Sequence, residues 1–185
     1  MSDLLIEKSL LNISNDNIVS LENLVGYSIP QDFVNFYLLS NGGIANNPYF
    51  YIEDEDNYVE ISLFLPIYYT DEKLGGINIE TSYRHLIQSG FPNKFLPFGI
   101  DWGGNFFALD LETGKIVLLL MDLGPFTDNC VKYIASCFSD YINNLVKSGV
   151  RYWLLWQGSI QVCGFSGTSG PEDLADPAAQ SHRLR

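Results

Sequence analysis

The run Ile116-Val117-Leu118-Leu119-Leu120 is apolar on both faces of a strand, which places it in the middle of a sheet whose two surfaces are both covered. The residues before it supply its neighbours. Phe95 to Ile100 reads as a strand, Asp101-Trp102-Gly103-Gly104 as a turn, Asn105 to Leu111 as a second strand, Glu112-Thr113-Gly114 as a turn, and Lys115 to Met121 as the third strand. Gly103, Gly104 and Gly114 provide the positive φ values that tight hairpins require. Upstream, Tyr49-Phe50-Tyr51-Ile52 and the segment from Tyr58 to Tyr69 are rich in aromatic and β-branched residues. They read as two strands joined by the acidic turn Glu53-Asp54-Glu55-Asp56-Asn57.

Helical spacing appears elsewhere. Ile18, Leu21, Leu24 and Val25 follow Asp16 or Ser14 as a cap, and Phe33, Phe36, Tyr37 and Ser40 fall on one face behind Pro30. Asn41-Gly42-Gly43 is expected to end that second helix. A third helix is expected over about 80–88, with Thr81 or Ser82 near its cap. A fourth is expected over about 129–147, from the stripe Val131, Ile134, Phe138, Tyr141, Ile142 and Leu145. The pattern describes an α+β domain over residues 1–148, followed by an extension over 149–185 that is rich in Gly, Ser, Pro and Ala and expected to be disordered from about 157.

The whole net charge of -12 falls on residues 1–148, because acids and bases balance beyond them. Such a field repels phosphate backbones and anionic lipid and favours a basic partner, so no direct nucleic-acid or membrane ligand is expected. No apolar run approaches the roughly 20 residues of a membrane span. Cys130, Cys137 and Cys163 form no CxxC pair or zinc pattern, and the segment around Asp3 and Glu7 lacks a basic n-region. A cytoplasmic protein is the expectation.

Residues that could carry chemistry are few. His182 lies in the extension, and His85 sits mid-helix beside Arg84 with no nucleophile motif around it. Asp101, Asp110 and Asp122 lie near strand ends, where an acid pair could converge, although aspartates there more often cap turns. Glu53-Asp54-Glu55-Asp56 lacks the spacing of a calcium loop, and Asp101-Trp102-Gly103-Gly104-Asn105 lacks that of a phosphate loop. Cys130 and Cys137 are expected on one helix face as buried thiols. No catalytic residue, metal or cofactor is assigned.

A binding surface remains. Tyr49, Tyr51, Tyr58, Tyr68 and Tyr69 interleave with Glu53, Asp54, Glu55, Asp56, Asp71 and Glu72, and interfaces favour rigid aromatic anchors ringed by complementary charge. Half of the tyrosines should turn inward, because strand side chains alternate. The partner-binding candidates are Glu53, Asp54, Glu55, Asp56, Tyr58, Tyr69, Asp71 and Glu72.

The ordered series Ile29-Pro30, Asn41-Gly42-Gly43, Leu96-Pro97-Phe98-Gly99, Trp102-Gly103-Gly104-Asn105, Leu109-Asp110 and Gly114-Lys115-Ile116-Val117 resembles the SUKH superfamily over roughly residues 14–147. That superfamily includes fungal regulators of cell-wall glucan synthesis and bacterial immunity proteins of polymorphic toxin systems. The resemblance implies a curved, mainly antiparallel sheet with helices packed against it and no catalytic centre. It implies a scaffold role for Pro30, Phe36, Asn41, Gly42, Gly43, Phe98, Gly99, Gly103, Gly104 and Asp110. It further implies an immunity protein that holds a basic toxin domain stoichiometrically, or otherwise an adaptor in cell-wall or stress signalling.

Overall fold

Residues 4–147 are described by a computed structural model of the chain. Strands β1 (Ile6–Glu7) and β2 (Ile44–Ala45) pair with each other, as do β3 (Tyr49–Ile52) and β4 (Asn57–Glu60). Strands β5 (Leu63–Phe64), β6 (Phe95–Ile100), β7 (Phe106–Asp110), β8 (Ile116–Leu119) and β9 (Val131–Ala135) form a five-stranded sheet in sequence order. Every pairing is antiparallel. The helices are α1 (Asn15–Val25), α2 (Gln31–Leu39), α3 (Ile79–Gln88) and α4 (Phe138–Asn143). The architecture is α+β, as the sequence pattern requires.

Strands β7 and β8 are buried at every position, and β6 at every position but Ile100. Since alternate side chains of a strand point to opposite faces, both faces of the sheet centre are covered. On one face, rings from α2 and α4 meet rings from the sheet. Phe33 and Phe98 lie 4.8 Å and 5.2 Å from Phe138, while Phe107 and Phe50 lie 5.7 Å and 5.3 Å from Tyr141. Such ring pairs add about 0.5–1.5 kcal/mol each beyond the area they bury.

Two tyrosines of this cluster test its polar wiring. The Tyr37 hydroxyl lies 3.0 Å from the Leu65 carbonyl and 3.1 Å from that of Phe98, so its proton has acceptors. The Tyr141 hydroxyl is buried with no hydrogen-bond partner among the described residues. Burial raises both phenols well above the ordinary tyrosine pKa. Tyr37→Phe is expected to cost about 1–3 kcal/mol because it strands the buried Leu65 carbonyl, the Phe98 carbonyl keeping the Leu65 N–H, while Tyr141→Phe removes an unpaired group and should be neutral or stabilising. Urea unfolding of the two variants checks the contrast; equal losses would contradict it.

The series Asn41-Gly42-Gly43 works differently from the helix stop expected of it. Helix α2 ends at Leu39 and is capped by an extended Ser40, so the glycines act after the helix. Asn41 is fully buried. Its amide donates to the carbonyls of Leu11 (3.0 Å) and Ile67 (3.1 Å), and its side-chain oxygen accepts the Ile67 N–H (2.8 Å). Gly42 and Gly43, at φ +70° and +121°, lie against backbone of Phe64–Pro66 and of Glu7 respectively.

The expected fourth helix over 129–147 is corrected. Asp128–Cys130 is a 3-10 turn, Val131–Ala135 is strand β9, and only Phe138–Asn143 is helical. The open edge of β8 takes Val131–Ala135 as its partner, and ladder bonds there outweigh a helical stripe whose residues include β-branched Val131 and Ile134. Cys130 and Cys137 therefore share no helix face: Cys130 closes the turn and Cys137 caps α4. The third helix starts one residue earlier than expected. Its cap is Asn78, whose side chain accepts the Thr81 N–H at 2.9 Å. The segment from Tyr58 to Tyr69 is two short strands in different sheets. The expectations for 149–185 lie outside the described residues.

Candidate functional site

The register of the β3–β4 hairpin sorts its side chains. Phe50 and Ile52 are buried beneath it. Tyr49 stands opposite Glu60 and Tyr51 opposite Tyr58, and directly opposed residues share a face. The Tyr58 ring lies 5.0 Å from Tyr51 and 6.4 Å from Tyr49, so the outer face of the hairpin is a half-buried cluster of three tyrosines. The adjacent Glu60 carboxylate, with a lesser contribution from burial, raises the Tyr49 phenol above its ordinary pKa.

The hairpin tip carries the acids. Glu53–Glu55 form a 3-10 turn, and Asp56 follows in the left-handed region at φ +48° and accepts a short hydrogen bond from the Tyr51 hydroxyl. Glu53, Asp54, Glu55 and Asp56 are all exposed. Glu55 pairs with Lys132, which ties the tip to β9. A partly exposed pair of this kind contributes at most about 1 kcal/mol.

At the other end of the hairpin, Glu60 accepts the indole N–H of Trp102 at 3.1 Å. Trp102 occupies the β6–β7 turn and is 80% exposed. Beside it, Asp101 accepts from the Asn105 backbone N–H and from its side-chain amide, both at 2.8 Å, which fixes the carboxylate. Tyr58, Val59, Glu60, Asp101, Trp102 and Gly103 line a shallow open cleft of about 250 Å³.

Tyr69, Asp71 and Glu72 belong to another segment, between β5 and α3. Tyr69 packs half-buried against the core, Asp71 caps the 3-10 turn Glu72–Leu74 by accepting the Lys73 N–H (2.8 Å), and Glu72 is exposed. Neighbouring Tyr68 is held at φ +69° with its N–H shared between the two carboxylate oxygens of Glu80, each at 3.0 Å. Burial raises the pKa of Glu80, and the bond from Tyr68 works against that rise. The hairpin tip is thus fastened at the β9 edge and this second segment follows the β5 edge; four strand spacings put those edges about 19 Å apart. The partner-binding candidates fall into two groups.

The residues for which the resemblance implied a scaffold role lie at several joints of the fold. Pro30 caps α2, Phe36 touches Phe64 and Phe138, and Phe98 is fully buried. Gly99 lies where the β6–β7 register shifts, so close to Ile61 that a Cβ would meet its Cδ1. Gly103 and Gly104 form the Trp102 turn. Asp110 is nearly buried, accepts the backbone N–H groups of Glu112 (3.0 Å) and Thr113 (3.3 Å), and faces Lys94 at 3.4 Å. Asp101 and Asp110 stand at opposite ends of β7, about 17 Å apart by strand rise, beyond the separation of a glycosidase acid pair. His85 is exposed on α3. Among the described residues no group of three or more His, Cys, Asp or Glu side chains converges to hold a metal ion, and no helix is long and apolar enough to cross a membrane.

Trp102 and Glu60 were not among the binding candidates read from sequence. They are 42 residues apart, and only the fold brings them together. A signal was present nonetheless, since a tryptophan followed by two glycines in a hairpin turn has little chance of burial.

The sequence model of the SMI1 / KNR4 family (SUKH-1) matches residues 12–144, the span from just before α1 to the end of α4. The chain belongs to this family. Membership agrees with the α+β fold and places the chain among toxin-immunity proteins and related modules, which in general interact with other proteins and are non-catalytic. The matched span contains the hairpin, the Trp102 turn and the Asn41-Gly42-Gly43 joint. No curated protein matches the chain.

Proposed function

We propose that this SUKH-1 member is an immunity protein that neutralises a basic toxin domain by stoichiometric binding in the cytosol. The observation that carries the reading is the β3–β4 hairpin: an exposed acidic tip beside a half-buried tyrosine cluster on a scaffold whose sheet centre is buried on both faces. Glu53, Asp54, Glu55 and Asp56 supply the field that attracts a cationic surface, and Tyr58 is a rigid anchor of the type enriched at interface centres. Tyr69, Asp71 and Glu72 form a second contact area, reached by a partner broad enough to span the sheet. A standard interface buries about 800 Å² per partner, well within the capacity of a domain this size.

Co-expression with the toxin encoded beside this gene tests the proposal. The host is expected to survive only when the chain is present. Reversing the tip charge with E53K and D54K should slow association about tenfold or more at low salt, with the difference shrinking as ionic strength rises. An unaffected toxin, or a variant that associates as fast as the parent chain at every salt concentration, would overturn the reading.

A further inference from the structure

We propose that the cleft between the β4 strand and the β6–β7 turn is an arginine-binding site, which takes one guanidinium side chain projecting from the partner protein. This deepens the functional reading above and rests on it.

The volume selects the size of the occupant. About 250 Å³ lies below the roughly 300–1,000 Å³ of pockets that enclose metabolites, and the cleft is open, so it suits one side chain on a surface. Its chemistry selects the charge. Two carboxylates, Glu60 and Asp101, contribute to the lining, and among the described residues no lysine or arginine stands within ion-pair distance of either. Both are already positioned: Glu60 by the Trp102 indole N–H and Asp101 by Asn105. The indole bond uses an N–H donor and leaves the negative charge of Glu60 in place for a cation.

The aromatic walls then choose between the two cationic side chains. Trp102 offers an indole left 80% exposed, and Tyr58 offers a second ring. A cation above an indole face gains cation–π attraction, best for tryptophan among the rings. A planar guanidinium can stack on that face while its N–H groups address carboxylates at the edge, which a lysine ammonium cannot reproduce. An exposed tryptophan held in place by its own N–H is also pre-organised, so little side-chain freedom is lost on binding.

The test uses the full chain, labelled with nitrogen-15, titrated at matched ionic strength with N-acetyl-arginine amide, N-acetyl-lysine amide and N-acetyl-citrulline amide. The Trp102 indole N–H signal is assigned by its loss in Trp102→Phe. Arginine amide is expected to shift that signal saturably in the millimolar range and lysine amide to bind at least about threefold more weakly, while neutral citrulline should have no effect. Glu60→Gln should weaken the arginine response severalfold while leaving the remaining amide signals in place. Equal shifts from citrulline, or no saturable shift up to 100-fold the expected range, would overturn the site. If arginine fails to bind while Trp102→Ala still neutralises the co-expressed toxin, the cleft assignment alone falls. If the parent chain neutralises nothing, the functional reading falls, and the titration decides the cleft separately.

Discussion

Asn41→Ala is expected to destabilise the domain by about 3–5 kcal/mol, enough to remove a large share of a typical folding free energy. The side chain makes three hydrogen bonds, to Leu11, Ile67 and Ile67 again, and two of these are deeply buried. Alanine leaves the buried Ile67 N–H without its partner and takes a second bond from the Ile67 carbonyl, which keeps the Tyr69 N–H at 2.8 Å, and a bond from the part-buried Leu11 carbonyl. Each buried orphan costs about 1–3 kcal/mol. No compensating burial follows, because alanine is smaller than the amide it replaces. Asn41→Asp should do as badly: it retains an acceptor for the Ile67 N–H, loses both donated bonds and introduces a charge into a fully buried position. Urea unfolding followed by tryptophan fluorescence and circular dichroism measures the loss. A cost below about 1 kcal/mol for the alanine variant would show that the amide does not bind these three segments together.

Gly43→Ala is the second large effect, expected at about 3–5 kcal/mol. At φ +121° the backbone lies outside the region that residues with a side chain adopt, which costs on the order of 1–3 kcal/mol. The added Cβ would also stand 2.4 Å from the Glu7 carbonyl oxygen and 2.8 Å from Ile6 Cγ2. The first of these is backbone, so the contact is relieved only if β1 withdraws from β2, losing the Ile6–Ala45 and Glu7–Ile44 pairing. Gly104→Ala is the control. It has a comparable positive φ of +87° and nothing within 4 Å of the added atom, so strain alone applies. Hydrogen exchange should show Gly43→Ala exposing the β1 and β2 amides while Gly104→Ala leaves them protected. Equal losses in the two variants would mean that close packing at Gly43 contributes nothing.

These residues also show where reading a sequence succeeds. Strands β6, β7 and β8 were legible because their turns carry Gly103, Gly104 and Gly114 and because Ile116–Leu119 has no polar face to expose. The acidic β3–β4 turn was legible for the same reason: four consecutive acids between aromatic runs can only be a solvated connection. Strand β9 was not. Ile134, Phe138, Tyr141 and Leu145 keep helical spacing across a change from strand to helix, and all four are buried. What decides the conformation of 131–135 is the unfilled edge of β8, a fact of the tertiary structure. The same limit applies to the site. The composition of the hairpin pointed to a binding surface, yet the union of Glu60 with Trp102 depends on a hairpin crossing one end of the sheet, and no local pattern encodes that crossing. Asn41 looked like a helix terminator because asparagine before two glycines so often is one. Its bonds run instead to residues 26 and 30 positions away in sequence.

Because β6, β7 and β8 are sealed on both sides apart from the half-buried Ile100, the exposed hairpin tip and the Trp102 turn lie outside the packed centre that holds the domain together. Substitutions at such positions usually change stability by no more than about 0.5 kcal/mol in either direction. A lineage can therefore rewrite Glu53, Asp54 or Trp102 in small, nearly neutral steps while its foundations stay put. Where two proteins are locked in an arms race, a chain built this way can follow an opponent's changing surface without having to reinvent its fold.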